Sequence, residues 1–234
     1  MATIGVNLQA VRQRIIAAAL ACGRDPADIT LIAVSKTFDA SAVAAALACE
    51  QHVFGENYVQ EALDKIHALI PTGAQTTPPG LEWHFIGPIQ SNKTRQIAEN
   101  FTWVHSVDRL KIAQRLSAAR PAGLAPMQIC IQVNIGDEAS KGGVTPDETL
   151  VLARAVSMLP RINLRGLMTI PPASDDPLQQ RRYFATLREV KERLNAAGMV
   201  LDTLSMGMSA DLEAAVAEGA TMVRIGTAIF GRRT

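Results

Sequence analysis

The lysine at position 36 ends the run Thr30-Leu31-Ile32-Ala33-Val34-Ser35-Lys36, whose other residues are uncharged and mostly branched. Such a run reads as a strand buried on both faces. An amine at the carboxyl end of a buried parallel strand stands where α/β folds place their chemistry. Lysine also condenses with aldehydes once burial or a neighbouring charge lowers its pKa. Taken alone, a lysine that merely snorkels out of a strand end is the plainer reading.

Two further groups change that balance. Ser205-Met206-Gly207-Met208-Ser209 follows a short apolar run and leads into a helix pattern with Asp211 in its first turn, and Arg224-Ile225-Gly226-Thr227 does the same near the C-terminus. Glycine permits close backbone approach, free N–H groups point outward, and Ser or Thr hydroxyls add donors, which together suit an anion at a helix start. Ordinary helix caps are the alternative for either loop alone. Arg224 and Gly226 are two apart, so on a strand both point to one side. A buried arginine is costly unless it meets a ligand or a carboxylate. A lysine, an arginine and a phosphate nest around one opening suit a phosphorylated aromatic aldehyde, which points to pyridoxal 5′-phosphate (PLP).

The elements that must position these residues form one alternating series. A helical stripe over residues 6–21 precedes the strand that ends at Lys36. Strand patterns then recur at residues 52–57, 81–87, 101–107, 127–134, 162–170, 203–206 and 221–225. Helix patterns follow them at 42–49, 58–69, 92–99, 109–119, 146–158, 178–197 and 211–218, with a helical end from Ala228. Eight strands, each followed by a helix or helical turn, predict an α/β fold: a single (β/α)8 TIM barrel with an extra N-terminal helix, residues 1–234 forming one domain. An open doubly wound sheet is the runner-up, but it usually carries a Gly-rich first turn that is missing here. Residues 71–80, rich in Pro, Thr and Gly, read as a surface loop. Barrel topology gathers the strand ends at one mouth, where His84, His105 and Tyr58 are further candidates. A histidine on a strand is more often a satisfied core group.

Bulk composition narrows the class. Hydrophobic residues at 48% support a large core. A net charge of +1 leaves no electrostatic footprint for nucleic acid or an anionic membrane. Cys22, Cys49 and Cys130 are scattered and match neither a disulfide nor a metal framework, so they are expected to be reduced, packed thiols. No apolar run near the N-terminus is long enough to span a bilayer, and a cytoplasmic protein is expected.

Several segments together resemble the pyridoxal phosphate homeostasis proteins. They are Ala33-Val34-Ser35-Lys36-Thr37, Phe54-Gly55-Glu56-Asn57-Tyr58, and His84-Phe85-Ile86-Gly87-Pro88-Ile89-Gln90-Ser91-Asn92-Lys93. Ser140-Lys141-Gly142-Gly143, Arg165-Gly166-Leu167-Met168, the Ser205 to Ser209 loop and Arg224-Ile225-Gly226-Thr227-Ala228-Ile229-Phe230-Gly231 complete the set. The resemblance implies a barrel like the N-terminal domain of alanine racemase, with PLP held as an internal aldimine on Lys36. It places Arg224 opposite the pyridine nitrogen, Asn57 near the cofactor, and Ser205, Gly207, Ser209, Gly226 and Thr227 around the phosphate. Members often carry a second lysine where this chain has Phe38, and some have a lysine-bearing tail where it has Arg232-Arg233-Thr234. Lys141 is then a candidate secondary amine, though a solvated loop lysine is the plainer reading.

A two-base racemase needs an acid/base group on each face of the substrate carbon. In the racemase architecture a tyrosine from a separate C-terminal domain supplies one, and this sequence ends just after the eighth strand. The expectation is therefore a monomeric, non-catalytic carrier or regulator of PLP, with PLP-dependent apoenzymes as recipients. A narrow-scope PLP-dependent racemase or lyase is the alternative. A Schiff-base aldolase acting on a sugar phosphate would explain the phosphate nest but not the family segments.

Overall fold

The computed structural model describes residues 2–70, 78, 80–136 and 142–231. Lys141, the terminal Arg232-Arg233-Thr234 and most of the 71–80 loop lie outside them.

The apolar runs become strands β1 (Thr30–Val34), β2 (Val53–Glu56), β3 (Glu82–Phe85), β4 (Trp103–Val107), β5 (Met127–Gln132), β6 (Ile162–Met168), β7 (Thr203–Ser205) and β8 (Met222–Ile225). Each pairs in parallel with the next, and β8 closes on β1 with residues 222–225 opposite 30–33. Burial on both faces explains why the runs are apolar throughout and do not alternate. Ile32, Trp103, Cys130, Met168 and Met222 fill the barrel interior. Ala33, Phe54, Phe85, Val104, Ile129, Leu204 and Val223 pack in the larger apolar layer beneath the helices. The expected barrel is the observed one.

Around it run α2 (Ala40–Leu47), α3 (Val59–Ala68), α4 (Thr94–Asn100), α5 (Leu110–Ala119), α6 (Thr149–Ser157), α7 (Pro177–Ala196), α8 (Leu212–Ala217) and α9 (Thr227–Phe230), preceded by α1 (Ala2–Ala21). Most ends fall within two or three residues of the sequence pattern, and the exceptions have local causes. The helix expected from residue 146 begins as an α-helix only at Thr149. Thr145 and Glu148 bond reciprocally ahead of it, through Glu148 N to Thr145 Oγ1 and Thr145 N to Glu148 Oε2, a capping box that shapes the first turn.

The extra helix α1 has a job visible in its contacts. Leu8, Val11, Ile15, Ala18 and Ala19 are buried at helical spacing, whereas Val6 and Leu20 of the expected stripe are exposed. Polar side chains on and just after α1 then reach the loop after β7 and the last two helices with the turn between α8 and β8. Asn7 donates to Ile229 O (2.9 Å), Arg14 to Ser209 O (3.2 Å) and to Glu213, and Arg24 to Val216 O and Ala220 O. Arg14 thus ties α1 to the loop of residues 205–209 and Asn7 ties it to α9, the helical turn that follows Gly226, whereas Arg24 holds the far end of α8. Cys130 is buried and Cys49 half-buried, but Cys22 is exposed at the end of α1, which corrects the expectation that all three are packed. Among the described residues no helix is long and apolar enough to cross a membrane.

Candidate functional site

At the carboxyl ends of the strands lies a cavity of about 280 Å³, whose wall includes Lys36, Asn57, Ser209, Arg224, Gly226 and Thr227. Six of the eight expected site residues thus share one cavity. A larger hollow of about 540 Å³ lies among residues 162–164 and 197–201, at the opposite end of β6, and gathers none of them.

Lys36 is set by a tight exit from β1. Phe38 N bonds back to Ser35 O (3.0 Å), and Thr37 takes φ 70°, a costly conformation for a β-branched residue. Glu61 Oε1 receives Thr37 N (2.5 Å) and helps hold that turn. Behind the strand, Lys65 Nζ donates to Ser35 O (2.7 Å), Glu56 Oε1 (2.7 Å) and Glu61 Oε1 (2.6 Å), and Ser35 Oγ donates to Glu56 Oε1 (2.6 Å). Burial pushes the Glu56 carboxyl above its ordinary range, while Lys65 and Ser35 pull it back down. Phe38, at the position where relatives often carry a second lysine by the resemblance above, packs against Phe230 in a tilted arrangement with centroids 5.2 Å apart and joins the cavity wall.

Asn57 follows β2, and its Oδ1 is buried with no hydrogen-bond partner among the described residues. A buried carbonyl oxygen of that kind is an acceptor waiting for a donor. The turn that carries it leans on Gly87: a β-carbon there would lie 2.4 Å from Asn57 O. Replacing Gly87 by Ala must displace the Asn57 backbone. It is expected to cost about 2–3 kcal/mol in urea denaturation, with the cavity perturbed as well.

Arg224 points into the barrel and is only 4% exposed. Its Nη1 donates to Ser205 Oγ (2.8 Å) and its Nη2 to Thr169 O (2.9 Å), both neutral acceptors. Burial lowers its pKa to about 10, with Asp211 and Cys130 opposing, so it stays a cation at neutral pH. Ser205 itself is fully buried under Arg224 and is not on the cavity wall. Gly207 is not on it either. Gly207 takes φ 97°, and a β-carbon there would lie 2.5 Å from Ala215 Cβ, so the glycine serves a tight approach of the loop to α8.

His84 and His105 are fully buried beneath the mouth and bonded to each other. Tyr58 is 59% exposed and not part of the wall. The wall also contains Ile86, Ile170 and Met208, which sequence reasoning passed over because apolar residues carry no chemical signal of their own. Among the described residues, no group of three or more His, Cys, Asp or Glu side chains is placed to hold a metal ion.

The geometry therefore joins a strand-end amine, a buried arginine and a hydroxyl-bearing glycine loop in one barrel mouth. Residues 6–234 match the family model for the N-terminal domain of alanine racemase, and fold and site together define a barrel of that class. Over 233 residues the chain is 58% identical to the pyridoxal phosphate homeostasis protein of Pseudomonas aeruginosa, covering 100% of this chain and 97% of that one. The solved structure of PipY from Synechococcus elongatus PCC7942, with PLP bound, is similar at TM-score 0.82 and 36% identity, over 97% of this chain and 100% of that one. An alanine racemase of Clostridium difficile 630 shares the fold at TM-score 0.72 and 16% identity, over 99% of this chain and 57% of that one. The chain belongs to the pyridoxal phosphate homeostasis protein family.

Proposed function

We propose that the chain acts as a single PLP-binding barrel domain in PLP homeostasis, holding the cofactor covalently on Lys36 without sustained catalysis. In this reading it is a cytoplasmic monomer whose recipients are PLP-dependent apoenzymes. One observation carries the reading. Lys36 and Arg224 are the ionisable side chains on the wall of the cavity among the described residues, and the rest of its polar wall is neutral. Arginine cannot accept a proton, so the wall offers no second acid/base group to work opposite the lysine.

When bound, PLP supplies an aldehyde that condenses with primary amines and a pyridine ring that withdraws electrons. The residues present fit such a group. Lys36 provides the amine, and the unpartnered Oδ1 of Asn57 provides an acceptor. Ser209, Gly226 and Thr227 offer backbone and hydroxyl donors to the phosphate. Arg224 would take the pyridine side, where a cation at neutral pH would keep a ring nitrogen unprotonated and weaken electron withdrawal. Ser205, which lies off the cavity wall, would contribute by holding Arg224. The PLP-bound relative and the homeostasis relatives support this assignment.

The test is borohydride reduction of the protein after PLP addition, with visible spectra before and after and mass mapping of the product. One pyridoxyl group on the peptide containing Lys36 is expected. Turnover of any D- or L-amino acid at a substantial rate would overturn the non-catalytic part of the reading. A second variant probes the arginine. Arg224→Met is expected to weaken PLP binding about 10–100-fold, the worth of a buried hydrogen bond to a charged group. Thermal melting of the ligand-free variant should show little loss or a gain, because a buried cation without a carboxylate partner is removed.

A further inference from the structure

The barrel interior holds a polar file that the binding site does not use directly. Ser205 Oγ lies 2.8 Å from Arg224 Nη1 and 2.7 Å from His105 Nδ1. His105 Nε2 lies 2.9 Å from His84 Nδ1, and His84 Nε2 lies 3.3 Å from Glu82 Oε2. Arg224 stands at the mouth. Glu82 opens β3 at the opposite rim, with its side chain 49% exposed. The links between them are buried and flanked by apolar side chains, with the Trp103 ring stacked on His84 at 5.4 Å.

We propose that this file is a one-way hydrogen-bond chain, Arg224 to Ser205 to His105 to His84 to Glu82, which makes Glu82, His84, His105 and Ser205 positioning residues for Arg224. The direction follows from donor and acceptor rules. A Glu82 carboxylate only accepts, so His84 Nε2 must carry a proton. A neutral His84 then has a bare Nδ1, which requires His105 Nε2 to donate. His105 Nδ1 is therefore the acceptor, the Ser205 hydroxyl donates to it, and Arg224 donates to Ser205. Both imidazoles are fixed as neutral Nε2–H tautomers.

The charges around the file agree with neutrality. Burial holds His84 below its ordinary range despite Glu82, and burial together with His84 and Arg224 holds His105 well below it. Glu82 is in turn kept below the usual carboxylate range by its bond to His84. Cys130 beside the file is pushed up to about 12 by burial and stays a thiol. Arg165 lies over the Trp103 ring and is paired with Asp202, and Asp211 acts on Arg224 from the loop before α8. A second cation in the file would face Arg224 in a dry interior, where it is strongly disfavoured.

The consequence for the site rests on the PLP reading. Ser205 and Thr169 occupy two of the five donors of Arg224, and the chain polarises the guanidinium while leaving its remaining donors for the cavity. The experiment begins with ligand-free protein labelled with ¹⁵N, using long-range proton–nitrogen correlation of the imidazoles. His84 and His105 are expected as Nε2–H tautomers across pH 6–8, and a cationic or Nδ1–H form of either overturns the proposal. Glu82→Lys exchanges the terminal acceptor for a donor and is expected to switch His105, two links away, to Nδ1–H. Glu82→Gln, close to isosteric and able to accept or donate, should give a mixture. An unchanged His105 in both variants overturns the coupling. In parallel, Glu82→Lys is expected to raise the PLP dissociation constant at least about threefold. Switched tautomers with unchanged affinity overturn the positioning role. Failure of the wild-type protein to bind PLP would defeat the cofactor reading and leave the tautomer result standing.

Discussion

Lys36→Ala is expected to abolish the borohydride-stable pyridoxyl adduct entirely while leaving the barrel folded. Lys36 stands on the cavity wall beyond the last residue of β1, so truncation removes no core packing and should change stability by about 1 kcal/mol or less. Arg224 and the Ser209 and Thr227 loops remain, so residual non-covalent PLP binding should persist in equilibrium dialysis. The neighbouring Lys65 cannot take over. All three of its N–H donors are committed to Ser35, Glu56 and Glu61, and it lies buried behind the strand. Mass mapping decides the matter. A pyridoxyl group of undiminished stoichiometry on another lysine would refute Lys36 as the attachment point.

The fold was legible because the signal is redundant. Burial of each strand on two faces makes every strand an apolar run, and eight such runs alternating with helical stripes admit few topologies. The gathering of Lys36, Asn57, Ser209, Arg224, Gly226 and Thr227 was legible for the same reason, since a barrel puts all strand exits at one mouth. What the sequence did not reveal is depth. Ser205 and Ser209 look equivalent in a string, yet Ser205 is the last residue of β7 and lies under Arg224, while Ser209 sits in the loop above. The loop pattern grouped Ser205 with Ser209 around an anion and carried no signal of how far below the rim Ser205 lay. The pairing of His84 with His105 was equally hidden, because it depends on the stagger between β3 and β4, where His84 lies opposite Trp103 and not opposite His105. Lys65 was invisible for a different reason. A lysine on an amphipathic helix reads as solvated, and only the buried Glu56 opposite it explains its burial.

That buried pair yields the other large expected effect. Lys65→Met should destabilise the fold by about 3–5 kcal/mol at neutral pH, because it leaves the Glu56 carboxylate buried without its cation. The dependence on pH has a definite sign. A carboxyl whose pKa is raised on folding binds its proton more tightly in the folded state, so its contribution to stability is full below the unfolded pKa and is lost as pH rises through the folded one. Burial already raises Glu56, and Lys65 provides the largest opposing influence. Removing Lys65 moves the carboxyl further up and extends that loss to higher pH. The variant's deficit in urea denaturation should therefore shrink on going from pH 7.5 towards pH 5, where Glu56 takes up a proton and the buried charge disappears. A deficit that grows on acidification would refute the assignment of Glu56 as the stranded charge. The same variant should also weaken PLP binding, since Ser35 O loses one of its two donors and the turn carrying Lys36 then depends on the bonds of Thr37 to Glu61 and Phe38 to Ser35. Adding Glu56→Gln to Lys65→Met removes the stranded charge by design, so the double variant should lose most of the pH dependence and regain part of the stability.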